Sequence, residues 1–292
     1  MSRWPEALIR EPVRHAKPLA GQLLSNPALG VLISSATRNR IRNNGVRIDT
    51  SPAGFSAVVK AQLAFGIYES AEIRFIRQYL SGWSRVLELG ASLGVTAAHI
   101  LDVAAPGAEV VCVEANPHLL AALRATTAAA AKAGARVTAV HGAVPPGPPA
   151  GSGSVELTLG RSHLGSRAGP GAGGKPGRRL RVPAVDVSEL VRGWTRYALV
   201  CDIEGAEAAL IASAHPVLTG ASRIVIELHE TTYGDTAVTV PELRETLLGM
   251  GFRLMAEKGR VLVLDGPAVE GTTHRPPRGR IAKEKKTGER CG

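Results

Sequence analysis

The sequence predicts an α/β fold in which a largely parallel sheet carries helices on its faces, and three observations point to it. Short apolar runs at 86–89, 109–114, 136–140, 198–201 and 223–228 alternate with longer stretches of helical character. In Arg85-Val-Leu-Glu-Leu-Gly-Ala-Ser-Leu-Gly-Val-Thr96 a buried strand enters a helix through a glycine turn, a connection that needs residues without side-chain bulk. Several of the apolar runs end abruptly in acids, at Glu114, Asp202 and Glu227, which places those acids at the carboxyl edge of the sheet, where open α/β folds bind ligands.

Along the chain, residues 1–47 show no long periodic segment, and a short helix within 19–32 is expected to break at Pro27. From Ser56 onward Val58, Val59, Leu63 and Ile67, then Ile73, Phe75, Ile76 and Leu80, predict one or two helices packed on the start of the sheet. Between them Gly66-Ile-Tyr-Glu69 precedes an acidic first turn; it reads either as a helix cap or as Tyr68 and Glu69 lining a pocket. After the glycine turn and its helix comes a second strand ending at Glu114, 26 residues beyond Glu88, the length of one right-handed crossover. Asn116-Pro117 is expected to start a helix that continues through the alanine-rich run 121–133. The third strand ends at His141, Gly142 and Ala143, where His141 is either a ligand or base or a packed side chain.

Residues 144–181 interrupt the alternation with Gly/Pro-rich chain, a short strand near 155–159 and a basic loop at 161–167; the stretch 168–177 is expected to be mobile. Its basic residues either guide an anionic substrate or are simply solvated. Toward the C-terminus a helix is expected over 239–250, beginning near Pro241, followed by strands at 252–255 and 260–264 that form a closing β-hairpin. The organisation read from these patterns is a basic N-terminal extension (1–50), a catalytic-size domain (51–265) with the flexible insertion 144–181, and a disordered basic tail (266–292).

The formal net charge of +10 sits at the ends: residues 1–47 contribute +6 and 271–292 contribute +5, leaving −1 for the centre. A neutral centre with basic ends does not favour sequence-specific nucleic-acid recognition. No apolar run approaches the roughly 20 residues of a membrane span, and the first residues lack a secretory h-region. Cys112 and Cys201 fall in predicted buried strands and Cys291 in the tail, without metal-ligand spacing, so a cytoplasmic protein is expected.

The glycine turn discriminates between cofactors. A dinucleotide fingerprint starting at Gly90 needs glycines where Ser92 and Val95 stand. Here the pattern is Glu-x-Gly-x-x-x-Gly, and Glu88 would repel a pyrophosphate while tolerating an ammonium and a sulfonium. A carboxylate at Glu114 is placed to accept both hydroxyls of an adenosine ribose, and backbone near Gly142 and Ala143 to meet adenine. If the chain stays extended, Asp202 and Glu204 share one side, as do Glu227 and His229.

Gly66-Ile-Tyr-Glu69, Glu88-Leu-Gly-Ala-Ser-Leu-Gly94, Glu114-Ala-Asn-Pro117, Asp202-Ile-Glu-Gly-Ala-Glu207 and Ile226-Glu-Leu-His229, in that order over residues 66–255, resemble the FkbM family of methyltransferases. The resemblance implies a Rossmann-like class I methyltransferase sheet flanked by helices, and methyl transfer from S-adenosyl-L-methionine, usually to a hydroxyl of a small molecule, sugar or natural product. It departs from the family at Cys201, where Lys is frequent, and at Ser92, where Asn is common. Carried over by position, Glu88, Gly90, Ala91 and Gly94 surround the methionine part of the cofactor, Glu114, Ala115 and Asn116 the ribose, and Gly142 and Ala143 the adenine. Asp202, His229 and Glu204 form the expected catalytic group, with Asp202 or His229 as base. In the alternative, Asp202, Glu204, Glu227 and His229 hold Mg²⁺, which lowers the acceptor's pKa. An RNA methyltransferase and a non-catalytic S-adenosylmethionine-binding protein are the other readings; no Pro-Pro-Tyr type acceptor motif follows the fourth strand, which counts against the former. The expected partner is a small-molecule or glycan acceptor.

Overall fold

A computed structural model describes residues 26–132, 134–145, 153–159, 166–168 and 178–267. In chain order its elements are α1 (Pro27–Thr37), β1 (Arg40–Asn43), β2 (Val46–Asp49), α2 (Ala57–Ala64), α3 (Ser70–Tyr79), β3 (Arg85–Leu89), α4 (Val95–Val103), β4 (Glu109–Glu114), α5 (Leu120–Ala130) and β5 (Arg136–His141). There follow β6 (Ser154–Leu159), β7 (Ser166–Ala168), β8 (Arg178–Pro183), α6 (Val187–Leu190), β9 (Ala198–Cys201), α7 (Glu207–Ala212) and α8 (Pro216–Thr219). The last are β10 (Arg223–Glu227), β11 (Thr231–Tyr233), β12 (Thr236–Val238), α9 (Val240–Gly249), β13 (Arg253–Lys258) and β14 (Val261–Asp265).

Seven strands form the central sheet in the order β13-β14-β10-β9-β3-β4-β5. The five from β10 to β5 are parallel, and the β13–β14 hairpin adds an antiparallel edge, as expected from the sequence. Because β3 leads to β4 and β5 on one side while β9 returns to its other side, the order reverses at β3, and a crevice opens at the carboxyl ends of β3 and β9. Strand alternation sorts the apolar residues onto two faces. Leu87, Leu89, Val111, Val113 and Leu199 pack with α7–α9 on one side, and Val86, Val110, Cys112 and Val200 with α3–α5 on the other. Both faces are covered, so the central strands read as unbroken apolar runs.

The N-terminal region differs from expectation. Pro27 does not break a helix but begins α1, with the Asn26 side chain accepting from the Ala28 N–H at 2.8 Å; Pro at the first helical position loses no intrahelical bond. Residues 19–25 lie outside the described ones. The hairpin β1–β2 turns at Asn44-Gly45, both with positive φ, and buries Ile41, Val46 and Ile48 against Val95, Ala98 and Leu119. Asn43 accepts from His99 (2.9 Å) and donates to the Leu63 carbonyl (2.8 Å), so the segment before residue 50 shares a core with α2 and α4. Asn116-Pro117 forms a turn instead of a helix start, since Asn116 Oδ1 accepts from the His118 N–H, and α5 begins at Leu120.

Within 144–181, β6, β7 and β8 make a three-stranded antiparallel sheet that buries Val155, Leu157 and Leu159 with Ala143 and Val182. The stretch expected to be mobile, apart from Ala168 in β7, and the expected disordered tail from 268 lie outside the described residues. Among the described residues no helix is long and apolar enough to cross a membrane.

Candidate active site

A cavity of about 250 Å³ opens over the carboxyl ends of the parallel strands. Crossing the sheet, it is walled by Asp202 and Glu204 beyond β9, Gly90 and Ser92 beyond β3, Glu114 and Ala115 at β4, and Gly142 and Ala143 beyond β5. Tyr68 and Glu69 close one side, and Leu119 and Leu157 supply apolar wall. Of the residues expected to bind the cofactor, Gly90, Glu114, Ala115, Gly142 and Ala143 line this cavity, while Glu88, Ala91, Gly94 and Asn116 do not.

The reasons lie in the local packing. Glu88 alternates away from Leu87 and Leu89 to the face of β3 covered by α3–α5, where it accepts from the Thr96 hydroxyl and from Cys112 Sγ at 3.3 Å. Burial raises its carboxyl to about 7, and it borders a separate void of about 10 Å³ beneath the turn. Gly90 has φ +86, and a Cβ there would lie 1.7 Å from the Asp202 carbonyl oxygen. The glycine therefore serves the approach of the chain leaving β9, which is fixed by the Asp202 N–H to Leu89 carbonyl bond of 3.0 Å. Gly94 caps α4 with φ +77 and packs on Leu123, an architectural role. Ala91 and Asn116 are buried.

Glu114 is 6% exposed, and each of its oxygens is held by a backbone donor: Oε2 by the Ser92 N–H at 2.7 Å and Oε1 by the Asn116 N–H at 2.6 Å. Burial raises its carboxyl, and these donors work in the opposite direction. The second strand's acid is thereby locked to the glycine turn in a fixed orientation along the cavity wall.

A second group of side chains gathers where β9 and β10 end. Glu207 is fully buried; Oε1 accepts from the Ile203 N–H at 2.8 Å and pairs with His229 Nδ1 at 3.2 Å, and Oε2 accepts from the Gly205 N–H at 2.7 Å. It thus ties the loop carrying Asp202 and Glu204 to the end of β10. Glu204 occupies the left-handed region (φ 54), a conformation this tether maintains. His229 Nε2 stands 3.9 Å from a carboxylate oxygen of each of Asp202, Glu204 and Glu227. Burial works to lower the imidazole's pKa, but the bond to Glu207 and the charges of Glu207, Asp202 and Glu204 outweigh it and raise it to about 9, so the ring is a cation at neutral pH. Burial raises Asp202 to about 7 against the pull of His229, and Asp202 Oδ1 is a buried oxygen without a hydrogen-bond partner.

The expected convergence of Asp202, Glu204, Glu227 and His229 is present, though only Asp202 and Glu204 line the cavity. His141 does not line it, and its Nε2 is buried without a partner. Sequence reasoning left Glu207 out of the expected catalytic group, although its signal was present as the last acid of Asp-Ile-Glu-Gly-Ala-Glu. Leu157 carried no signal, because it reaches the cavity from the insertion.

A parallel sheet reversed at β3, with a cavity at its carboxyl edge and an acid at the end of the next strand, defines a Rossmann-like α/β protein with a site of the nucleotide-cofactor type. A methyltransferase FkbM domain model matches residues 88–254, more than half of the chain, and the protein belongs to the FkbM methyltransferase family. Membership brings the family's activity, methyl transfer from S-adenosylmethionine. No curated protein matches the sequence. Solved structures similar in fold include magnesium protoporphyrin IX methyltransferase from Synechocystis PCC 6803 with bound SAM (11% identity, 71% of this chain and 83% of that one, TM-score 0.40). Another is ribosomal protein L11 methylase from Lactobacillus delbrueckii subsp. bulgaricus (10% identity, 70% and 80%, TM-score 0.39). At this distance they carry no argument about the acceptor.

Proposed function

We propose that the protein transfers the methyl group of S-adenosylmethionine to a hydroxyl of a small molecule, sugar or natural product, with Asp202 as the general base. The observation that carries this is Asp202 itself: it faces the cavity, has an oxygen without a hydrogen-bond partner, and has its carboxyl raised to about 7, near the optimum for a base at neutral pH. The cofactor supplies the methyl as an electrophilic carbon on sulfur. As the C–S bond breaks and S-adenosylhomocysteine leaves, Asp202 would take the proton of the attacking hydroxyl, and Glu204, on the same wall, would orient that hydroxyl. His229 acts as a cation among the carboxylates and not as the base, since an imidazolium has no lone pair to receive a proton. The alternative is a divalent cation: ligand atoms of Asp202, Glu207 and His229 lie within 4.8 Å of one another, and a cation held there would take the place of the imidazolium proton.

Asp202→Asn is expected to lower kcat by roughly 10²- to 10⁴-fold with S-adenosylhomocysteine affinity unchanged. In the wild type kcat should rise with pH through about 7, where Asp202 ionises, and the variant should lose that limb. A variant within threefold of wild-type kcat would refute the assignment. Dialysis against EDTA should leave turnover unchanged; loss restored by Mg²⁺ would favour the cation version.

A further inference from the structure

We propose that Glu69 receives the ammonium group of the cofactor's methionine end, the place that the sequence pattern assigns to Glu88; this rests on the cofactor reading above. The order of strands around the cavity sets the direction of the ligand. Gly142 and Ala143 stand at the β5 side, Glu114 at β4, Gly90 at β3 and Asp202 at β9, so an adenosine with its base at β5 and its ribose on Glu114 extends its amino-acid end toward β3 and β9. At that end the acids facing the cavity are Glu69, Asp202 and Glu204. Glu88 does not line this cavity: its oxygens already accept from Thr96 and Cys112, and it borders the small adjoining void of about 10 Å³ that Glu69 and Asp202 also reach.

Three features of Glu69 point to a ligand and not to a helix cap. It occupies the N-cap position of α3, yet its side chain makes no capping hydrogen bond. Its backbone lies in the left-handed region, at φ 44 and ψ 38, uncommon for a residue with a Cβ and found where function requires it. The side chain turns into the cavity and bonds the Tyr68 side chain, which also contacts Ser92 in the glycine turn. Carboxylate oxygens of Glu69, Glu72 and Asp202 lie within 4.8 Å of one another, so Glu69 is enclosed among like charges. The main cavity has no Lys, Arg or His in its lining among the described residues, and His229 stands beside Asp202 and Glu204, so a ligand ammonium supplies the countercharge for Glu69.

The test compares S-adenosylhomocysteine with its deaminated analogue, which differs only in lacking the ammonium, by calorimetric titration into wild type, Glu69→Gln and Tyr68→Phe. Wild type should bind the parent compound roughly ten- to a hundredfold more tightly than the analogue, the range expected for one charge-assisted hydrogen bond. Glu69→Gln should bind both alike, having lost affinity only for the parent compound, and Tyr68→Phe should show a smaller loss with the same selectivity for the ammonium. Equal binding of the two compounds by wild type, or a Glu69→Gln variant that weakens both by the same factor, overturns the assignment while leaving the cofactor reading intact. Binding of neither compound by wild type overturns both. Thermal melting of Glu69→Gln and Tyr68→Phe separates loss of binding from loss of fold.

Discussion

Replacing Glu114 by Ala probes the cofactor site at the point where its geometry is most completely determined. The carboxylate receives the Ser92 N–H at 2.7 Å and the Asn116 N–H at 2.6 Å, and the residue lines the cavity. We propose that it accepts both ribose hydroxyls of the cofactor; two such charge-assisted bonds at about 1.5–3 kcal/mol each would correspond to a loss of at least about a hundredfold in affinity when the acid is removed. The substitution also leaves the buried Asn116 N–H without an acceptor, at a cost of about 1–3 kcal/mol, and releases the half-buried Ser92 N–H that ties the glycine turn to β4. Glu114→Gln retains one carbonyl acceptor but turns its amide N–H₂ toward a backbone donor, so its loss should be intermediate. Calorimetric titration of S-adenosylhomocysteine into the three proteins, with urea denaturation as a control for folding, gives the comparison. An alanine variant that is folded and binds within threefold of wild type would refute the placement of the ribose on Glu114.

Other substitutions test the architecture around it. Gly90→Ala places a Cβ 1.7 Å from the Asp202 carbonyl oxygen at φ +86, and should cost about 2–4 kcal/mol in urea denaturation while displacing Asp202 and depressing kcat; wild-type stability would show that β3 and β9 approach less closely. Glu72 is 3% exposed, and burial, followed by the charges of Glu69 and Asp202, holds its carboxyl well above the unfolded value of 4.5. The folded state therefore binds a proton that the unfolded state releases, so this residue costs stability as pH rises above 4.5. Glu72→Gln should shift the urea midpoint upward at pH 8 and hardly at all at pH 4, and the opposite order would contradict the sign. Glu207→Gln puts an amide N–H₂ in place of one of two oxygens that each receive one backbone N–H, so kcat should fall tenfold or more with S-adenosylhomocysteine affinity preserved; an equal loss in both would show that the loop belongs to the cofactor site.

The sheet was legible in the sequence because its signals are local. Uninterrupted apolar runs at β3, β4, β9 and β10 mark strands covered on both faces, and the acids that end them mark the carboxyl edge. Glu114, Asp202 and Glu204 were found at that edge for the same reason, and the FkbM motifs added the methyl chemistry. Three other features depended on contacts between segments far apart in the chain. Gly90 stands in a motif read as a ligand turn, but what makes it a glycine is the backbone of Asp202, 112 positions later. Glu88 reads as the acid before the glycine turn, and Glu69 as part of a helix cap or of a pocket wall. Strand alternation buries the first against Thr96 and Cys112, and a left-handed residue before α3 carries the second into the cavity. His229 read as a candidate base until three carboxylates and the buried Glu207 surrounded it and made it a cation. Pattern and propensity determine which residues reach the active edge, since they act over a few positions of chain. Burial and charge determine what each residue does there, since they are properties of neighbours that only the folded chain brings within a few ångströms.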